Sequence, residues 1–181
     1  MKTNTMIKKI VYTALFAALT FVGTVVIHIH IPAPGATGYI NFGDCIVLVS
    51  GILLGPLYGG LAAGIGSAMA DAMYGHFIYV PGTFAIKLLM AVAAYFVYRA
   101  LSKDKNSYNY IPLLVASIVG EVIMVGGYFL YETALYTAAT AALGVVPNCM
   151  QAFAGAVIAI LILRIMKKTK LTDIINEHIG H

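Results

Sequence analysis

Ten of the chain's eleven lysines and arginines stand at three places: the start of the first long apolar run, the end of the fourth and the end of the sixth. Lys2, Lys8 and Lys9 form the first group, Arg99, Lys103 and Lys105 the second, and Arg164, Lys167, Lys168 and Lys170 the third. Lys and Arg flanking short loops decide which side of a bilayer those loops occupy, the basic ones staying in the cytoplasm. The pattern predicts six membrane crossings with both termini cytoplasmic, since the three loops on the other side carry no Lys or Arg. The eleventh, Lys87, falls inside an apolar run, and an intramembrane charge marks a functional site by default.

Composition agrees. The chain is 61% hydrophobic and 10% charged with a mean hydropathy of +0.90, whereas a soluble domain carries about 25% charge. Crossing a hydrocarbon core of about 30 Å takes about 20 helical residues, so six spans and short turns use nearly all 181 residues. The expectation is a single transmembrane domain over residues 1–181, an all-α six-helix bundle in the cell membrane. The basic, then apolar, N-terminus has the outline of a signal peptide. Its length and the want of a small-x-small cleavage site make it a retained first helix. Cys45 and Cys149 are too few for a disulfide framework.

Helix 1 is expected over about Ile7 to Ile27. Residues 28–41, with Pro32, Pro34, Gly35 and Gly38, read as an irregular loop. Helix 2 starts near Gly43 or Asp44 and stops at Gly55-Pro56, and helix 3 follows at once to about Tyr74, so the two form a hairpin that either crosses fully or re-enters. A second outer loop covers Gly75 to Gly82, helix 4 runs from Thr83 to Leu101, and residues 102–109 make a charged cytoplasmic loop. Helix 5 covers Tyr110 to Tyr131. An Ala- and Thr-rich third outer loop, partly helical, spans Glu132 to Val146, and Pro147 opens helix 6, which ends between Arg164 and Lys170.

Placed by depth, the polar groups gather in the outer half. Asn41 and Asp44 stand at the start of helix 2, Asp71 near the end of helix 3 and Lys87 one turn into helix 4. Tyr74, His76 and Tyr79 are on the connecting loop, Asn148 and Gln151 on the first turns of helix 6, and Glu121 deeper, in mid-helix 5. An unpaired ion in hydrocarbon costs at least about 2.5–3.5 kcal/mol, so Asp71, Lys87 and Glu121 must face protein, water or ligand. Asp71 and Lys87 either lock helices 3 and 4 together or share a ligand. The convergence of polar groups from helices 2, 3, 4 and 6 under aromatic loops favours a small polar-ligand pocket. Asp44 also suits a helix cap. His28 and His30 lack a third ligand and read as interfacial rather than metal-binding.

Small residues recur at helical spacing, Ala14 and Ala18 on helix 1 and Gly60, Gly64 and Ala68 on helix 3, which lets helices approach closely in lipid. On helix 3 internal packing accounts for them; on helix 1 the stripe serves packing or a partner. The chain holds no G-x-x-x-x-G-K-[ST], H-E-x-x-H or G-x-S-x-G, so it has neither an ATPase site nor the commoner hydrolase sites. Uphill transport would need another subunit.

The stretches Gly38-Tyr-Ile-Asn-Phe-Gly-Asp44, Gly55-Pro56-Leu-Tyr-Gly59-Gly60, Gly64-Ile-Gly66-Ser67-Ala-Met-Ala-Asp71 and Pro81-Gly-Thr83-Phe-Ala-Ile-Lys87 together resemble the substrate-binding S component of an energy-coupling factor (ECF) vitamin transporter. The resembling branch includes riboflavin, hydroxymethylpyrimidine and pyridoxine S components. The resemblance implies a six-helix membrane protein that captures a water-soluble vitamin from outside, under loops 1, 3 and 5. It implies docking through helix 1, at Ala14-x-x-x-Ala18, to a transmembrane coupling subunit with two cytoplasmic ATPases. Asn41, Asp44, Asp71, Tyr74, His76, Tyr79, Lys87, Glu121 and Asn148 are the expected vitamin ligands. Acidic groups with one Lys suit pyridoxine or the thiamine-precursor pyrimidine at least as well as riboflavin. The cobalt and nickel branch begins Met-His and this chain Met-Lys, which argues against metal transport. No cofactor, bound metal or nucleic-acid partner is expected. The rival reading is a stand-alone secondary transporter or small channel with Glu121 as proton relay, which would have to dimerise for want of an internal repeat.

Overall fold

The computed structural model describes residues 2–26, 28–33, 36–102, 104 and 107–179, with side chains described over 4–26 and from 41 onward. The side chains of His28 and His30, and Lys103 and Lys105, lie outside the described residues. The order is α1 (Lys2–Val26), β1 (His28–Ala33), β2 (Ala36–Asn41), α2 (Gly43–Met73), α3 (Val80–Leu101), α4 (Tyr110–Leu135), α5 (Ala138–Lys168) and α6 (Leu171–Ile179). Five of these helices, α1 to α5, are long and apolar enough to cross a bilayer. Lipid offers backbone groups no partner, so apolar runs of this length satisfy their own N–H and C=O groups as helices.

Five long helices stand where six were expected, because the predicted helices 2 and 3 form one element of 31 residues broken at Gly55. Gly55 has φ 84° and ψ 178°, a region essentially reserved for glycine, and Pro56 after it has no N–H to continue the helix. Ser50 Oγ donates to the Gly59 carbonyl at 3.2 Å, although nine residues of unbroken helix would rise about 13.5 Å. The two arms therefore fold back on each other. The first arm, 43–54, rises about 18 Å, short of the core thickness of about 30 Å. Gly55→Ala should lower stability by about 1–3 kcal/mol, read as a lower melting temperature of the purified protein; an unchanged melting temperature would mean the break does not depend on glycine.

Helix α1 packs on α2, α2 on α3, α3 on α4 and α4 on α5, and α5 closes the ring on α2 and β2. Helix α2 is central and mostly buried, whereas α1 is mostly exposed. Within lipid, close approach at small residues replaces the hydrophobic effect. Gly60 accordingly lies against Leu88 and Val92, and Gly64 against Phe84. The helix 3 stripe is thus internal packing, while Ala14 and Ala18 are exposed on α1.

The segment read as an irregular loop is instead an antiparallel hairpin, paired from His28 with Asn41 to Ala33 with Ala36. Both strands of a two-stranded hairpin are edges, which tolerate the proline that a central strand excludes. The third outer loop also shrinks. Helix α4 continues to Leu135, and α5 begins at Ala138, where the side chain of Thr137 accepts from the Thr140 N–H at 3.2 Å. Helix α6 was not expected. It buries Ile175 and Ile179 and shares a hydrogen bond of 2.9 Å between His178 and Tyr12 of α1. Lys9 lies 5.7 Å over the Tyr58 ring, and Arg164 donates to the Tyr108 carbonyl at 3.2 Å. These contacts bring the start of α1, the tip of the α2 hairpin, Tyr108 and the end of α5 to one basic end. Cys45 is buried, Cys149 is exposed, and both are free.

Candidate functional site

At the opposite end the elements enclose a cavity of about 270 Å³. Its walls are built from helical stripes. Ser67 and Asp71 are one turn apart on the second arm of α2, and Thr83 and Lys87 one turn apart on α3. Tyr128, Glu132 and Tyr136 follow one face at the end of α4. Thr140, Gly144, Asn148 and Gln151 follow one face of α5 with Pro147 beside them, and Thr24, Asn41, His76 and Tyr79 complete the wall.

The floor is a closed polar network. Lys87 Nζ donates to Asp44 Oδ1, and Gln151 Nε2 donates to Asp44 Oδ2 at 2.6 Å. Gln151 Oε1 in turn accepts from Asn41 Nδ2 at 3.0 Å and from the Asn41 N–H at 3.1 Å, while Asn41 Oδ1 accepts from the Gly43 N–H at 2.8 Å. Asn41 thus closes the start of α2 and ties it to α5. Lys87 and Asp44 are 4% and 1% exposed, so each charge depends on the other for compensation. Lys87 Nζ also lies 5.4 Å over the Tyr128 ring, whose hydroxyl shares a hydrogen bond of 3.0 Å with Thr83.

The mouth is aromatic. Ring centroids of Tyr74 and His76 are 6.0 Å apart, His76 and Tyr79 6.4 Å, and Tyr79 and Tyr131 6.2 Å. Tyr79 donates to Glu132 Oε1 over a long 3.5 Å. Burial first, then its hydrogen bond with Tyr136 and the Glu132 charge, push the Tyr79 hydroxyl above the ordinary tyrosine range, so it stays protonated and can donate.

Of the expected ligand residues, Asn41, Asp71, His76, Tyr79, Lys87 and Asn148 line the cavity. Asp44, Tyr74 and Glu121 are not among the lining residues. Asp44 lies beneath the wall as the partner of Lys87, so of the two readings of Asp71 and Lys87 the one that paired them directly is not what the structure has, and Asp44 does not cap its helix. Tyr74 donates to the Val25 carbonyl at 2.9 Å, anchoring the loop to α1. Glu121 stands two turns, about 10 Å, deeper on α4 than Tyr128. Its two oxygens have no hydrogen-bond partner among the described residues, and it packs against Gly155 of α5. Ser67, Thr83, Tyr128 and Glu132 were not among the expected ligands, nor was Gln151, although it had been placed with the outer polar groups. Ser67 and Thr83 each precede an expected ligand by one helical turn, which was a usable signal.

Three comparisons bear on this architecture. A solved structure, described as the S component of a bacterial ECF transporter, shares the fold with a TM-score of 0.67 at 18% identity, over 91% of this chain and 98% of that one. A protein of Pyrococcus woesei, described as an uncharacterized protein in the gap 3′ region, is 33% identical over 140 residues, 77% of this chain and 90% of its own. Since residues 4–168 match the family model "ECF-type riboflavin transporter, S component", the chain belongs to that family of substrate-binding membrane subunits.

Proposed function

We propose that this protein captures a small, water-soluble heteroaromatic vitamin from outside the cell and delivers it through a transmembrane coupling subunit driven by two cytoplasmic ATPases. Pyridoxine or the pyrimidine precursor of thiamine is the favoured substrate. The basic end then faces the cytoplasm, with both termini, and the cavity opens outward from the cell membrane. The observation that carries the reading is the state of charge in the cavity. Lys87, the one lysine or arginine among the described lining residues, is already neutralised by Asp44, while Asp71 and Glu132 also face the cavity. Such a wall favours a ligand rich in N–H and O–H donors and disfavours a multiply anionic one. The volume of about 270 Å³ falls at the lower edge of the about 300–1,000 Å³ common for ligand sites, which suits a single ring. Riboflavin is the second reading, favoured by the family model that the chain matches.

Purified protein alone should bind one of these vitamins yet fail to accumulate it in vesicles. Accumulation should begin when coupling subunit, ATPases and ATP are added. If a proton gradient drove uptake by this chain alone, the secondary-transporter reading would replace this one.

A further inference from the structure

Ser67 and Asp71 differ from the other polar groups of the cavity. They are 3% and 6% exposed, they line the cavity on the same helical face, and neither Ser67 Oγ nor Asp71 Oδ2 has a hydrogen-bond partner among the described residues. Their neighbours each have a partner in the bundle already, Lys87 with further N–H groups to spare. Lys87 and Gln151 donate to Asp44, Asn41 donates to Gln151, and Thr83 bonds Tyr128. Buried polar atoms without partners are unfavourable, and a ligand that supplies the partners gains the difference in affinity.

The two side chains ask for different things. An ionised carboxylate oxygen only accepts, so Asp71 needs a donor, whereas the Ser67 hydroxyl can donate to an acceptor beside that donor. We propose that Ser67 and Asp71 read a donor–acceptor edge of the substrate ring, an N–H or NH2 group donating to Asp71 Oδ2 next to a ring nitrogen or carbonyl oxygen that accepts from Ser67 Oγ. A 4-aminopyrimidine carries this edge, as does the imide edge of a flavin. Pyridoxine lacks this edge: when its ring hydroxyl ionises the proton passes to the ring nitrogen, and that N–H stands between two ring carbons with no acceptor beside it. The assignment rests on the vitamin-capture reading above and selects among its substrates.

Calorimetric titration of the purified full chain with 4-amino-5-hydroxymethyl-2-methylpyrimidine, riboflavin and pyridoxine tests it. The expected result is binding of the aminopyrimidine or the flavin, weakened about tenfold or more by Asp71→Asn and about threefold by Ser67→Ala. The Asp71→Asn loss should vanish when the ligand lacks the donor, as in the 4-deamino pyrimidine or 3-methylriboflavin, because the coupling between two partners disappears when either is removed. Should Asp71→Asn not fold, the comparison moves to the unaltered protein, where the donor-less analogue should bind about tenfold more weakly than its parent. Binding of pyridoxine alone, or equal affinity for parent and donor-less analogue, would overturn this assignment and leave vitamin capture standing. Binding of none of the three would overturn both.

Discussion

Lys87→Met should cost about 3–5 kcal/mol of stability, the penalty for leaving one member of a buried ion pair without its partner. Asp44 is 1% exposed and, among the described residues, keeps only Gln151 as a donor once the ammonium is gone. The second substitution decides the interpretation. Lys87→Met with Asp44→Asn should recover most of the lost melting temperature, because a neutral amide in place of the carboxylate no longer needs a cation. Lys87→Met with Asp71→Asn should not, since the ion pair of Lys87 is with Asp44. Binding separates the structural role of Lys87 from its proposed contact with the vitamin. The folded Asp44→Asn, Lys87→Met protein should bind about ten- to a hundredfold more weakly, as expected for loss of one charged hydrogen bond. Original affinity in that protein would show that Lys87 only ties α3 to α2, and rescue by Asp71→Asn would show that the pairing described here is wrong.

The interchange of Asp44 and Asp71 shows where sequence reading stops. The charge groups at Lys9, Arg99 and Arg164 mark the ends of apolar runs, and the basic end of the bundle was legible from them. The position of Lys87 near the other end followed from counting residues along a helix. Which carboxylate meets Lys87 depends on how the two arms of α2 rotate about the break at Gly55, and an apolar run without a polar face does not encode that rotation. Glu132 and Tyr136 were assigned to an outer loop, partly helical, because after Tyr131 the apolar run gives way to Glu132 and to Thr133, Thr137 and Thr140, which are weaker helix formers than the alanines among them. Thr137 as a cap could have moved that boundary. The β hairpin was obscured by its prolines and glycines, which punctuate most structures but are tolerated at a two-stranded edge. Gln151 stood in the right half of the membrane from the start, yet its place between Asp44 and Asn41 needed the contact of α5 with β2.

Replacing Ala14 or Ala18 with Trp should abolish ATP-driven uptake while vitamin affinity stays within about twofold, the range left by a substitution that touches no binding residue. Among the described residues of α1 the buried side chains are Phe16, Thr20 and Thr24, and Gly66 of α2 lies against Ala17 and Thr20. Ala14 and Ala18 belong to the other face, beside exposed Val11, Leu15 and Val22. Added bulk there meets nothing in the bundle, so folding and the cavity at the far end should not register it. A membrane partner that docks through a small-residue stripe would register it strongly, because its backbone must approach to a distance that an indole forbids. Serine at the same positions, nearly as small as alanine, should preserve uptake. If Trp left uptake intact, the stripe would face only lipid and the coupling subunit would dock elsewhere. If Trp abolished affinity together with uptake, α1 would pack through Ala14 and Ala18, against the exposure seen for both.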